Sequence, residues 1–164
     1  MRAGIALGSN IGDRMENFRG AREELGRVFG QLLCSSVYET DPVGCEPGSG
    51  PYLNAVAEIE YEGQPVLLLD RLQAIEKKMG RPSKRPRNAP RTIDLDVLYV
   101  GNLTLSNEEI IIPHPRLHLR RFVLAPLCDI RPDLVLPGHH ESVARLLAEL
   151  PPEPSVRLFC REWD

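Results

Sequence analysis

Asp94 and Asp96 stand two residues apart in Arg91-Thr92-Ile93-Asp94-Leu95-Asp96-Val97-Leu98-Tyr99-Val100, a run of alternating character. Read as a β-strand, it turns Ile93, Leu95, Val97 and Tyr99 one way and Asp94, Asp96 and Leu98 the other. At a rise of about 3.3 Å per residue, one strand face carries the two carboxylates with their backbones about 7 Å apart. Side chains so placed converge on a pair of hard cations. Mg²⁺ suits them, because it is held by one or two carboxylates together with waters and substrate phosphates. Immediately upstream, Arg81 to Arg91 contains five basic residues, three prolines and no acid. A cationic loop feeding a two-carboxylate strand fits a nucleoside triphosphate with its metals. A solvated edge strand after a charged loop has the same appearance, and this segment alone leaves both readings open.

The overall charge narrows the choice. Acids outnumber bases by 23 to 20, which argues against a nucleic-acid partner with its need for a broad basic surface. Positive charge is gathered locally, between Arg81 and Arg91 and at Arg116, Arg120 and Arg121, as suits a small polyanionic substrate. The 164 residues suit one domain over 1–164 with a real hydrophobic core. No apolar run approaches the roughly 20 residues that span a membrane. Met1 to Gly8 lacks a signal-type apolar core. The four cysteines, Cys34, Cys45, Cys128 and Cys160, form no Cys-x-x-Cys or dense framework and read as reduced thiols. A cytoplasmic monomer without a membrane or nucleic-acid partner is expected.

The elements that would carry these residues follow from periodicity and punctuation. A short strand centred on Ile5 to Leu7 ends at Gly8-Ser9-Asn10. A helix from Met15 to Phe29 starts at Asp13, with Glu16 completing a capping-box pattern, and stops at Gly30. Leu32 to Tyr38 and the alternating Leu53 to Tyr61 read as strands on either side of a Pro/Gly-rich loop. Pro65 opens a second helix that runs to Met79 and ends at Gly80. After the carboxylate strand come a turn at Gly101-Asn102, a possible return strand Leu103 to Leu105, and a short strand Ile110 to Ile112. Helices over Leu119 to Cys128 and Ser142 to Leu150 and an edge strand Val156 to Phe159 complete the chain. The order β-α-β-β-α-β with C-terminal additions predicts an α+β, ferredoxin-like (split βαβ) antiparallel sheet with helices packed on its faces. That fold hosts many activities, so function rests on the site.

Ala6 to Asn10, Ser35 to Gly44, Tyr52 to Ala55, Leu72 to Glu76 with Gly80-Arg81, Pro90 to Asp96, Ile112 to Arg116 and Arg120 to Leu127 occur in order over nearly the whole chain. Together they resemble 6-hydroxymethyl-7,8-dihydropterin pyrophosphokinase, an enzyme of folate biosynthesis. The resemblance implies transfer of the β,γ-diphosphate of ATP to the hydroxymethyl group of the reduced pterin, giving AMP and the pterin diphosphate. It implies ATP as co-substrate and two Mg²⁺ ions bound by Asp94 and Asp96, with Arg81 and Arg91 as further catalytic residues. By the same resemblance Thr40, Val43, Tyr52, Asn54, Asp94 and Phe122 bind the pterin. Gln73, Glu76, Arg81, Lys84, Arg91, Val97, Ile111, His114 and Arg120 surround the nucleotide.

Each residue type suits its implied role. Two aromatics stack on a flat heterocycle, an asparagine offers both donor and acceptor to an amide edge, and guanidinium forks grip phosphate. Each also has a plain structural reading. Tyr52 and Phe122 suit core packing, Asn54 an internal hydrogen bond, Gln73 and Glu76 a solvated helix face, and His114 packing between two prolines. The basic loop is expected to order over both substrates and seal the site from water. Ser83, Asn88, Glu109 and Pro115 depart from residues found in some relatives, which touches loop closure and nucleotide contact rather than reaction class. The rival readings are a ferredoxin-like ligand-binding module, a two-metal phosphohydrolase, and a relative that binds without turnover.

Overall fold

The computed structural model describes residues 1–41, 50–80 and 92–163. The chain opens with β1 (Arg2–Ser9) and α1 (Arg14–Phe29). Asp13 caps α1 by accepting from the Glu16 N–H at 3.1 Å. The Glu16 carboxylate pairs instead with Arg19 at 2.8 Å, so one arm of the expected capping box forms. Gly30 ends the helix at φ 86°, a left-handed conformation that glycine adopts without a Cβ penalty. The strand expected over Leu32 to Tyr38 is two strands, β2 (Leu33–Cys34) and β3 (Val37–Thr40). The Ser35 side chain breaks it: Oγ accepts from the Val56 N–H at 2.9 Å and donates to Ser36 O at 2.7 Å. β4 (Tyr52–Glu60), α2 (Pro65–Lys78) and β5 (Asp94–Val100) follow. The expected return strand at Leu103 to Leu105 is β6 (Leu105–Ser106), which pairs with β7 (Ile111–Ile112) in a small separate sheet. A 3-10 turn (Leu117–Leu119), α3 (Arg121–Ile130), α4 (Val143–Glu149) and β8 (Val156–Cys160) complete the chain.

The main sheet has the order β5-β1-β4-β3-β8, with β2 also on β4, and its pairings are antiparallel. On one face Phe18, Ala21 and Leu25 of α1 and Leu68, Leu72 and Ile75 of α2 pack on Ile5, Leu7, Ile93 and Leu95. On the other face Leu124 and Leu127 of α3 and Val143 of α4 pack on Val56 and Leu98. β4 is therefore covered on both sides, and Leu53 to Ile59 are all buried. The hydrophobic–polar alternation read from that segment does not translate into one wet face. No helix among the described residues is long and apolar enough to cross a membrane.

β5 departs from simple alternation in a second way. Gly4 pairs with Tyr99 and Ile5 with Val97, so Leu98 is an extra residue, a β-bulge. The bulge flips the end of the strand. Tyr99, expected beside Ile93, Leu95 and Val97, is turned instead to the face of Asp94 and Asp96 and packs with Leu98 against α3. Its ring lies across Gly4, where a Cβ would sit 2.4 Å from it. Its hydroxyl reaches over β1 to donate to Glu58 Oε2 of β4 at 2.6 Å. Arg131, just past α3, donates to Glu58 Oε1 at 2.6 Å. One buried carboxylate thus joins β5, β4 and the end of α3.

Candidate active site

Two rows across the sheet form the floor of the site, on the face that carries α3. Asp94 lies opposite Gly8, Gly8 opposite Asn54, and Asp96 lies opposite Ala6, which faces Val56. The small β1 residues leave open the space between larger side chains on β5 and β4. Thr40 pairs with Tyr52 at the end of β3, and its hydroxyl donates to Asn54 Oδ1 at 2.8 Å in a buried bond. With the carbonyl side of Asn54 so engaged, its Nδ2 is the atom presented over Gly8, 3.5 Å from where a Cβ would be. Above this floor is a cavity of about 430 Å³ lined by Gly8, Thr40, Asp41, Tyr52, Asn54, Asp94, Asp96, His114, Arg120 and Phe122 among others. The Arg120 guanidinium carbon lies 5.5 Å from the centroid of the Phe122 ring, so a cation and an aromatic face form one wall.

A second cavity of about 280 Å³ lies at the outer edge of β5, lined by Leu69, Val97, Ile111 and Pro115 among others. Asp96 and His114 line both cavities. The His114 backbone N–H donates to Leu98 O at 2.8 Å, which ties this residue to the bulge. Its Nδ1 accepts from the Arg116 N–H at 3.1 Å, so in the neutral ring the proton sits on Nε2. Burial, followed by the charges of Arg120 and Arg116, pushes the imidazole below the usual histidine range. His114 Nε2 is therefore the ring nitrogen left to donate, on a residue that both cavities share.

The family model described as 7,8-dihydro-6-hydroxymethylpterin-pyrophosphokinase (HPPK) matches residues 4–132. The chain belongs to the HPPK family. A 2-amino-4-hydroxy-6-hydroxymethyldihydropteridine pyrophosphokinase of Haemophilus influenzae is 44% identical over 137 residues, 82% of this chain and 84% of that protein. A protein of the same name from Methylorubrum extorquens is 40% identical over 159 residues, 96% of this chain and 98% of its own length. Among solved structures, wild-type Plasmodium falciparum HPPK-DHPS with pteroate superposes with a TM-score of 0.70 at 14% identity, over 90% of this chain. The chain spans 42% of that protein. This likeness establishes the fold.

Of the residues expected from the HPPK resemblance, the fold gathers Thr40, Tyr52, Asn54, Asp94, Asp96, Phe122, His114 and Arg120 around the larger cavity and Val97 and Ile111 around the smaller. Gln73 is exposed on α2 and lines neither cavity. Glu76 is buried, against the expectation of a solvated face. Its Oε2 accepts from the Leu95 N–H at 2.7 Å, holding β5 between the two aspartates. Val43, Arg81, Lys84 and Arg91, and with them the basic loop and the departures at Ser83 and Asn88, lie outside the described residues. Glu109 and Pro115 line the smaller cavity. The sequence reading missed Gly8 and Ala6, visible only as small residues in a strand, and Asp41 and Pro154. Among the described residues no group of three or more His, Cys, Asp or Glu side chains gathers to cage a metal. Two carboxylates at a cavity fit an ion that completes its oxygen shell from water and phosphate, so the donor set suits Mg²⁺.

Proposed function

We propose that the larger cavity holds 6-hydroxymethyl-7,8-dihydropterin, the smaller one receives the base end of ATP, and diphosphate passes between them beside Asp96 and His114. The reaction moves the β,γ-diphosphate of ATP onto the hydroxymethyl oxygen. A bond forms from that oxygen to the β-phosphorus as its O–H bond breaks and the proton passes to solvent, the bond from the β-phosphorus to the bridging α,β-oxygen breaks, and AMP leaves. The observation that carries this reading is the meeting of two unlike cavities at Asp96 and His114. The larger includes the Tyr52 and Phe122 rings, the Asn54 amide and the Thr40 hydroxyl in its lining, while the smaller has no aromatic ring besides His114 and mixes Leu69, Val97, Ile110 and Ile111 with Asn107, Glu108 and Glu109.

Each residue then has a role its chemistry supports. Tyr52 and Phe122 stack on the pterin, while Asn54, oriented by Thr40, reads its amide edge, with Val43 adding backbone contact. Asp94 and Asp96 hold two Mg²⁺ ions, which when bound neutralise phosphate charge and favour an in-line displacement. His114 donates from Nε2 and Arg120 offers its fork to phosphate oxygens. Arg81, Lys84 and Arg91 supply further charge to the triphosphate, and Val97 and Ile111 flank the base. Gln73 and Glu76 bear on the nucleotide from α2, Glu76 through β5. In fold terms we read the β5-β1-β4-β3 order with α1 and α2 on one face as the ferredoxin-like split βαβ arrangement. One domain, a monomer and a cytoplasmic setting complete the proposal.

The test is AMP release from ATP and Mg²⁺, with and without 6-hydroxymethyl-7,8-dihydropterin. AMP that appears only with both pterin and metal is the expected result. Inorganic phosphate released from nucleotide alone would mark a phosphohydrolase. Binding of both ligands without AMP would mark a binding module.

A further inference from the structure

The family model ends at residue 132, yet one residue that lines the larger cavity, Pro154, lies beyond it. Pro154 lines that cavity beside Thr40, Asp41 and Tyr52. It stands two residues before Val156, which pairs with Thr40, so it closes the Thr40 end.

Three contacts hold this segment. β8 pairs with β3 from Thr40 to Val37. Arg157 Nη2 reaches Glu39 Oε1 and Asp41 Oδ1, each at 3.3 Å. At the near end, Arg121 Nη2 donates to Leu150 O at 3.0 Å and Pro151 O at 2.7 Å. Arg121 immediately follows Arg120 and precedes Phe122, so one short stretch supplies two site residues and the clamp on this segment. Arg121 Nε is buried with no hydrogen-bond partner among the described residues. A buried, unsatisfied N–H is unfavourable, so bond count alone does not account for an arginine here. What the side chain achieves is placement: a forked donor spans from α3 to two consecutive carbonyls.

Resting on the pterin reading above, we propose that Arg121 is a positioning residue. It pins the Leu150–Pro151 backbone so that Pro154 completes the pterin cavity and keeps Thr40 aligned to orient Asn54. Its effect falls on recognition of the pterin and not of ATP, whose proposed cavity lies on the far side of β5.

The experiment compares wild type, Arg121→Ala, Arg121→Lys and Pro154→Gly in the full chain. Steady-state kinetics are run with each substrate varied in turn, and thermal unfolding is recorded for every variant. Pterin binding is measured by calorimetry with Mg²⁺ and a non-transferable ATP analogue. The expected result for Arg121→Ala is a pterin KM and Kd raised about tenfold, the order of one lost hydrogen-bonded contact. The KM for ATP and kcat stay within about twofold, because binding common to ground and transition states appears in KM. Arg121→Lys, which retains a donor, recovers part of the loss. Pro154→Gly, which leaves the clamp in place, raises the pterin KM in the same direction and serves if Arg121→Ala does not fold. Unchanged pterin KM in both Arg121→Ala and Pro154→Gly overturns the proposal. So does a lowered Tm with both KM values unmoved, which marks a structural role only. Wild type that fails to bind pterin overturns the functional reading itself; wild type that binds, with insensitive variants, overturns only this inference.

Discussion

At the scale of single residues, the strongest claims concern Asp94 and Asp96. If they hold Mg²⁺, Asp96→Ala and Asp94→Asn lower kcat by at least about a hundredfold, the order expected when charge stabilisation in the transition state is removed. AMP release over a Mg²⁺ titration measures this, and full activity in Asp96→Ala would sink the metal assignment. The pair was legible from spacing alone, because alternation on one strand needs no knowledge of the fold. The orientation of Asn54 was not legible. Its partner Thr40 is 14 residues away in sequence and is brought to it only when β3 lies against β4. Thr40→Val removes that donor and frees the amide to rotate. The expected outcome is a pterin KM raised about fivefold to tenfold with the ATP KM unchanged, since one neutral hydrogen bond is worth about 1 kcal/mol.

At the scale of elements, the bulge at Leu98 organises β5. It lets the Tyr99 ring cross Gly4 to Glu58 while Asp94 and Asp96 keep their places over Gly8 and Ala6. Gly4→Ala would set a Cβ 2.4 Å from the Tyr99 ring. The ring must then shift, and a loss of about 1–3 kcal/mol in urea unfolding is expected. Glu58 is only 5% exposed and Arg131 28%. Arg131→Ala leaves the carboxylate buried without its main partner and costs about 2–3 kcal/mol, given that Arg131 keeps part of its hydration. The same pair sets an acid limit. Burial alone would raise the Glu58 pKa, but hydrogen bonds from Arg131 and Tyr99 outweigh it and hold the carboxyl below the usual 4.5. A depressed carboxyl pKa contributes stability that is present above pH 4.5 and is lost as pH falls through the lower, folded-state value. Glu58→Gln should therefore flatten the acid limb of a plot of urea midpoint against pH, and an unchanged limb would refute the assignment. Strand alternation predicted the opposite face for Tyr99, because a bulge depends on the partner strand and leaves no local mark.

At the scale of the whole molecule, sequence patterns placed α4 and β8 but gave Trp163 no role. Trp163 is 3% exposed. Its Nε1 donates to Ser35 O at 2.8 Å, its carbonyl accepts from Arg19 Nε at 2.6 Å, and its ring lies 5.3 Å from Phe18. It joins α1 to the start of β3 and so fixes the end of β8. Trp163→Ala is expected to cost about 3–5 kcal/mol by loss of a large buried aromatic. A chemical denaturation midpoint within error of wild type would refute this anchoring role.

Local chemistry alone determined that this chain has a two-carboxylate strand, a cationic run before it, a β-α-β-β-α-β order and the boundaries of α1, α2 and α4 to within a residue. By contrast, α3 starts and ends two residues later than the expected Leu119 to Cys128, after a separate 3-10 turn. Periodicity, caps and motifs are short-range signals, and they survive in one dimension. The tertiary structure decided that two cavities meet at Asp96 and His114 and that β4 is buried on both faces. It also decided that Glu76 supports β5 from the core and that Pro154, two residues before β8, lines the larger cavity. Each of these depends on residues far apart in sequence meeting across the sheet, and no local pattern records which strands become neighbours.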